Sequence, residues 1–345
     1  MLPAAPLSVT DRRRWLGLLA ASALTAAPGR AQPAPALVLR FAHVVAEATP
    51  KGLAVLRFKA LAEARSAGRI RVEVYPDAQL YGDHDEMQAL QLGAVEMLAP
   101  SLSKFGRIGF PEFELFDLPF LFASVADVRR ITQGPLGQRL LQGLGRHGLA
   151  GLGYFDNGFK QMSARRPLLA PGDFAGLRMR VQASQVIAAQ MRALGAQPVS
   201  LPFSETRRAL AAGVVDGTEN PVSNFWTQGI HEVQSDLSLT EHGYLGYAVV
   251  ANQRFWLGLA PADRALLGQA LAEALAHGNR IADAQNAQAL AALRAAGTTR
   301  IHTLAPAQRA RLRQAVEPVH QGLARRIGPA WMQALADALP SPSKG

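Results

Sequence analysis

Residues 37–75 read LVLRFAHVVAEATPKGLAVLRFKALAEARSAGRIRVEVY, and this stretch decides the fold class. Leu37 to Val45 carries apolar residues on both faces, the pattern of a strand covered on both sides. Thr49 and Pro50 mark a helix start, because a threonine hydroxyl caps a free amide of the first turn and proline at the first helical position has no N–H to lose. Leu53, Leu56, Leu61 and Ala62 form the apolar face of that helix, and Gly68 terminates it. Ile70, Val72 and Val74 then alternate with Arg69, Arg71 and Glu73 as far as Pro76, which is the period of a second strand. Strand, helix, strand is the grammar of an α/β sheet with parallel strands.

The same grammar extends outward. A helix is expected from about Asp83 to Leu92 and a strand from Val95 to Ala99, followed by an aromatic, proline-containing loop from Phe105 to Phe122. A helix ends in the glycine cluster at 143–148, and a strand runs from Leu149 to Phe155. A second set follows, with strands at Leu177 to Gln182, Pro198 to Leu201 and Val214 to Thr218, and helices at Gln185 to Leu194 and Glu205 to Ala212. Two such sets predict two α/β lobes. Pro261 to Ala296 reads as one Ala/Leu-rich helix of about 50 Å at 1.5 Å per residue, longer than one lobe and so expected to span both.

Composition narrows the chemistry. The chain has 345 residues, 49% hydrophobic and 18% charged, with no cysteine and a formal net charge of +10. Without cysteine there is no disulfide framework, thiolate zinc site, iron–sulfur cluster or thiol nucleophile. Arg12, Arg13 and Arg14 precede an apolar run from Trp15 to Ala27, with Gly29 and Ala31 before Gln32, which is the order of a cleavable export signal over residues 1–31. The run is short for a membrane span, and the arginine pair fits either the general or the twin-arginine export route. Four arginines and one aspartate would leave with this leader. The remaining basic residues are mostly arginine and scattered in pairs, as in Arg129-Arg130 and Arg207-Arg208, which reads as solvated surface and predicts no nucleic-acid partner.

Individual motifs are weighed by context. Gly143, Gly145 and Gly148 spell GxGxxG, but a helix precedes them and a strand follows, the reverse of a dinucleotide fingerprint, so they read as a helix cap and no cofactor is expected. Asp83-His84-Asp85-Glu86 offers hard metal ligands in a row, yet acidic residues in a first helical turn follow from the helix dipole alone, and no resident metal is expected. Arg178 and Arg180 alternate with Met179 and Val181 and share one face of a strand, where a planar guanidinium suits a carboxylate. Lys160, in Asp156-Asn157-Gly158-Phe159-Lys160, lies where the chain crosses between the two sets, a natural cleft wall.

Leu177 to Gln182 (LRMRVQ), Pro202-Phe203-Ser204-Glu205 and Val215-Asp216-Gly217-Thr218-Glu219-Asn220-Pro221 occur in an order and spacing that resemble the substrate-binding proteins of tripartite ATP-independent periplasmic (TRAP) transporters. Phe41 to Val45, Ala99-Pro100-Ser101-Leu102, Asp156 to Lys160 and His242 to Tyr247 extend the likeness, toward the C4-dicarboxylate-binding branch. The resemblance implies a two-lobed periplasmic-binding-protein-like fold whose α/β lobes are joined by crossing strands, with a ligand cleft and a long helix across both lobes. Lobe I would comprise residues 37–156 plus about 246–285, and lobe II about 157–245 plus 286–340. It implies that Arg180 clamps a carboxylate with Asn220 and Phe203 beside it. Lys160 stands where the sialic-acid branch has arginine and Pro100 where that branch has a substrate-contacting glutamate, so the ligand is expected to be smaller and more anionic than a sugar acid. Ser101, Val44 and His43 are the first-lobe candidates. Lys160 and Arg180 together would balance the two charges of succinate, malate or fumarate.

The implied role is that of a monomeric periplasmic carrier with no catalytic residues, closing on its ligand and delivering it to the small and large membrane subunits of a permease. The alternative ligand is a 2-oxo or 2-hydroxy monocarboxylate. The alternative from another class is a metal-dependent periplasmic enzyme using Asp83 or His84.

Overall fold

In the computed structural model, which describes residues 37–339, the opening stretch folds as β1 (Leu37–Ala42), α1 (Pro50–Arg65) and β2 (Ile70–Tyr75). The two strands pair in parallel from Leu37–Ile70 to Ala42–Tyr75. Thr49 Oγ1 accepts from the Gly52 N–H at 3.1 Å, as the Thr-Pro signal predicts. The next elements are α2 (Glu86–Leu92) and β3 (Met97–Leu98), with β3 parallel to β1. Asp83 and His84 lie ahead of α2 rather than inside it, because the Asp83 carboxylate is held by the Phe203 N–H and by Lys104.

The aromatic stretch expected as a loop is instead two 3₁₀ helices, Leu102–Ile108 and Pro111–Asp117, in which Phe105, Phe110, Phe113 and Phe116 are buried. Phe105 stacks on Phe113 with centroids 4.5 Å apart. After α3 (Val125–Thr132) and α4 (Pro135–Gly143), a 3₁₀ turn at Leu144–His147 closes at Gly148 with φ 73°, so the GxGxxG glycines do end a helix.

A larger departure is β4 (Leu149–Ala164), which continues well past Phe155 and carries Asp156 to Lys160 inside the strand. The second set follows as β5 (Arg178–Val181), α5 (Gln185–Ala193), β6 (Gln197–Ser200), α6 (Thr206–Ala211), β7 (Gly217–Asn220) and α7 (Val222–Thr227). The chain then runs through β8 (Asp236–Asn252), α8 (Gln253–Gly258), α9 (Pro261–Ala296), β9 (Arg300–Thr303), α10 (Pro306–Ile327) and α11 (Pro329–Ala338).

Two parallel groups are present, β2-β1-β3 and β7-β5-β6, but they are not separate sheets. The long antiparallel pair β4 and β8, in register from Leu149–Asn252 to Ala164–Asp236, joins them into one nine-stranded sheet. Register shifts after Gly151, Asp156 and Lys160 bend this pair where it crosses from one group to the other.

The long helix has the predicted ends and 36 residues, about 54 Å at 1.5 Å per residue. Leu267, Ala270, Leu271 and Ala274 pack with Phe41, Phe58 and Val249 in one buried cluster. Ala289 and Leu293 pack with Val44, Phe203, Leu210 and Phe225 in another. Each such leucine, fully buried, stabilises by about 1.5–3 kcal/mol, so α9 ties two sub-cores together. No helix among the described residues is long and apolar enough to cross a membrane. The leader expected at residues 1–31 lies outside the described residues.

Candidate functional site: a buried cationic cleft at the strand ends

The carboxyl ends of the parallel strands converge from both groups. His43 and Val44 follow β1 and Ser101 follows β3, while Arg180 sits near the end of β5, Phe203 just beyond β6 and Asn220 at the end of β7. Ligands of open α/β sheets collect at such ends, outside the carboxyl termini of the strands.

Arg178 and Arg180 share one face of β5 but have different surroundings. Arg178 forks onto Asp216 at 2.8 and 3.0 Å and is partly exposed, an ion pair that ties β5 to the approach of β7. Arg180 is 1% exposed. Its Nε and Nη2 donate to the Leu201 carbonyl at 3.0 and 2.8 Å, and Nη1, buried, has no hydrogen-bond partner. The guanidinium carbon lies 5.5 Å from the Phe203 ring centroid. Burial lowers the Arg180 pKa, opposed by the charges of Asp83 and Glu219.

Asp83 closes one side. Burial would raise its pKa, but Lys104 and the Phe203 N–H override this and hold it at about 2. Lys104 is buried and also pairs with Glu86, so the ammonium group occupies the point on which these two acids converge. His84, the other residue of the metal reading, is exposed. Asp83, Lys104, Arg180, Gln182, Leu201 and Pro202 border a cavity of about 150 Å³.

Lys160 does reach the interior, but with a carboxylate partner the sequence reading did not assign to it. Its Nζ donates to Glu219 Oε1 at 2.6 Å, and Glu219 Oε2 lies 2.7 Å from His242 Nε2. Burial would raise the Glu219 pKa; Lys160 and His242 bring it down to about 2. Burial keeps His242 below its ordinary pKa, hence neutral at pH 7, with the Nε2 proton facing Glu219 and Nδ1 accepting from Thr240 at 2.7 Å. Next to Glu219, buried Asn220 has an Oδ1 without a partner.

The other side of the cleft comes from the first group. His43 is 1% exposed, and its ring nitrogens make no hydrogen bond of good geometry. Burial and the charge of Lys51 push its pKa down to about 3. Lys51 lies in the first turn of α1; its Nζ donates to the Ala99 carbonyl at 2.9 Å and stands 3.7 Å from the Tyr247 ring centroid. Burial is the main cause that lowers its pKa to about 7, with Lys104 adding to it and Glu86 and Asp83 opposing. The Tyr247 hydroxyl accepts from Asn157 Nδ2 at 3.0 Å, and Asn157 is bonded in turn to Asn224 and Ser223. Ser101 Oγ donates to Gln182 Oε1 at 2.7 Å, a direct link between the loop after β3 and the end of β5. Val44 and Phe203 belong to one apolar cluster.

Four buried cations, Lys51, Lys104, Lys160 and Arg180, therefore stand with two buried carboxylates, Glu86 and Glu219, and the partly buried Asp83. Lys104 and Lys160 hold acids directly; Lys51 and Arg180 are bonded to main-chain carbonyls. Such an interior favours an anion, since an unpaired buried charge is costly. Sequence reasoning missed Lys51 and Lys104. A lysine in the first turn of α1 runs against the helix dipole and was the one available signal; Lys104 had none, because its two acids are joined to it only in the folded chain. Glu219 and His242 lay within quoted segments, without a role.

The comparisons agree with this geometry. The sequence profile of bacterial extracellular solute-binding protein, family 7 (DctP), matches residues 41–326. The chain is 50% identical to the C4-dicarboxylate-binding periplasmic protein DctP of Rhodobacter capsulatus over 331 residues, 94% of this chain and 98% of that one. A TRAP periplasmic solute binding protein from Shewanella oneidensis, solved with bound succinate, superposes with a TM-score of 0.86 at 42% identity, over 88% of this chain and 99% of that chain. A TRAP periplasmic solute binding protein from Pseudomonas aeruginosa PAO1, solved with bound L-malate, gives 0.80 at 40% identity, over 83% and 99%. With strand-end geometry, profile and relatives in accord over most of its length, the chain belongs to bacterial extracellular solute-binding protein family 7, the DctP family.

Proposed function

We propose that this protein is a periplasmic carrier that binds a C4-dicarboxylate, succinate, malate or fumarate, in the cleft and presents it to the membrane subunits of a TRAP permease. The observation that carries the reading is Arg180: a fully buried guanidinium with one amino group, Nη1, free to donate, held in place by Leu201 and Phe203. Arginine in that setting fixes a carboxylate in a planar, charge-assisted geometry. Asn220 donates through the Nδ2 proton not directed at Thr218, neutral His43 through its one ring N–H, and Ser101 by turning its hydroxyl from Gln182, while Val44 and Phe203 form an apolar wall against the ligand carbons. Lys51 is the cation that meets the second carboxylate. Lys160 retains protons to donate, but its charge is offset by Glu219.

The succinate and L-malate found in related structures support this ligand class. Binding groups from both parallel groups of the sheet make closure the productive state, since only a closed cleft satisfies them together. The lobes would divide as expected, at the crossings of β4 and β8 and along α9. The N-terminal leader would direct export, the protein would act as a monomer, and no bond of the ligand would be made or broken.

Calorimetry with succinate, malate, fumarate, pyruvate and lactate tests the proposal. A saturating ligand at a hundredfold its Kd adds about 2.7 kcal/mol of stability, so thermal melting provides an independent readout. Binding by a C4-dicarboxylate and not by the monocarboxylates is expected. The offset of Lys160 by Glu219 makes a 2-oxo or 2-hydroxy monocarboxylate the competing ligand, and tighter binding of pyruvate or lactate would establish it instead.

A further inference from the structure

Outside the cleft lies a second concavity. A groove of about 930 Å³ runs between α5, α10 and the segment after β5. It shares His84, Arg107, Gln182, Ala183 and Ser200 with the smaller cavity that reaches Arg180, so the two are continuous. The charge along it is one-sided. Arg107, Arg192, Arg325 and Arg326 line the groove, and no aspartate or glutamate does. These arginines come from three elements distant in sequence: the 3₁₀ helix Leu102–Ile108, α5 and α10. Arg326 is bound to Glu114, which also accepts from the Val186 N–H at the start of α5. Arg107, Arg192 and Arg325 are exposed, and among the described residues no carboxylate pairs with them. The rest of the wall is small and neutral, chiefly Ala183, Ala188, Ala189, Ala193 and Gly322.

We infer that this groove is an anion-collecting vestibule in which Arg107, Arg192 and Arg325 capture a carboxylate ligand and feed it to Arg180. It rests on the reading of the cleft as an anion site. A concavity lined by one sign of charge focuses field lines and raises the local concentration of the opposite sign. Because the three arginines are solvated, their effect falls on association and is screened by salt, whereas buried Arg180 governs dissociation. In the lining of the inner cavity Asp83 is the only acid; Lys104, which it shares with Glu86, holds it, and the cavity ends at the guanidinium of Arg180.

Stopped-flow association with succinate tests this on the triple variant Arg107→Gln/Arg192→Gln/Arg325→Gln, and on the triple that places lysine at the same positions. At an ionic strength of about 20 mM the glutamine triple should associate about tenfold more slowly than the wild type, with unchanged dissociation. At about 500 mM the difference should shrink to less than about twofold. The lysine triple should associate like the wild type, which separates charge from arginine geometry. Unchanged association of the glutamine triple at low salt overturns the vestibule, as does a slowdown that is the same at both salts or shared by the lysine triple. If the wild type ignores succinate but binds another acid, the C4 assignment falls, and the same comparison with that acid decides the vestibule. If it binds no acid, both readings fall.

Discussion

Arg180 shows how two residues of one strand diverge. Arg178 is saturated by Asp216 and half in water, so its removal would loosen β5 without emptying the cleft. Arg180→Ala should cost about 2–5 kcal/mol of ligand binding by leaving a buried carboxylate unpaired, measured calorimetrically; wild-type affinity would remove Arg180 from the site. Lys51 makes a pH-dependent prediction. Its pKa of about 7 in the free protein, set by burial and by Lys104 against Glu86 and Asp83, means that the ammonium is only partly populated at neutral pH. A bound dianion favours the charged form. Binding should therefore take up protons near pH 7–8 and weaken as pH rises above about 7, as read by calorimetry in buffers of different ionisation enthalpy. Lys51→Met should abolish that uptake and reduce dicarboxylate affinity, while neighbouring His43 stays neutral throughout because its pKa is about 3.

Among the elements, α9 depends on one close approach. A Cβ at Gly278 would lie 2.8 Å from the Ala54 Cβ and 3.3 Å from Phe155 Cδ1, where α9 passes over α1 and β4. Gly278→Leu should destabilise the protein by at least about 1–3 kcal/mol through overpacking, lowering the thermal midpoint; an unchanged midpoint would mean that the helix shifts freely. Nearby, Asn279 accepts from the Asp156 N–H at 2.8 Å and Asn286 donates to the Asn157 carbonyl at 2.7 Å. These bonds fasten α9 to β4 at the register shift between Asp156 and Gly158. The span of the helix, Pro261 to Ala296, was readable, but its partners were not.

Across the whole molecule, buried ionisable groups set the response to acid. His43, ordinarily near 6.5, is pushed down to about 3, so the unfolded chain binds its proton first and stability falls as pH drops from 6.5. Asp117, buried and raised from 3.8 to about 7, acts with the opposite sign over nearly the same interval, since here the folded state binds the proton first. His242, also lowered by burial, adds to the loss below 6.5, and buried Glu86, raised, adds to the gain on the Asp117 side, so the contributions oppose one another and stability should change little from about pH 6.5 to 4.5. Below about 4.5 the advantage of Glu219, held at about 2, is lost, and that of Asp83 and Asp236, also at about 2, is lost below about 3.8. Thermal melting against pH should show this shoulder and then a steep fall. Asn at position 117 (Asp117→Asn) should unmask His43, so that melting temperature declines from pH 6.5 onward; a retained shoulder would contradict the assignment.

Periodicity and end signals within short windows were enough to determine β1-α1-β2, the second strand–helix set and the span of α9, because side-chain alternation and caps are local properties. Arg180 was legible as a strand residue facing the same way as Arg178, and the likeness of a few ordered segments carried the family. Tertiary structure alone decided that Arg178 is paired while Arg180 retains a free donor, that Lys160 belongs to Glu219 and Lys104 to Asp83 and Glu86, and that Lys51 stands over Tyr247. It alone identified β4 and β8 as the crossing strands, with their register, and drew four phenylalanines of an expected loop into the core. The physical reason is the same in each case: strand pairing, burial and ion pairing depend on residues tens to more than a hundred positions apart, and no local pattern records which of them will meet.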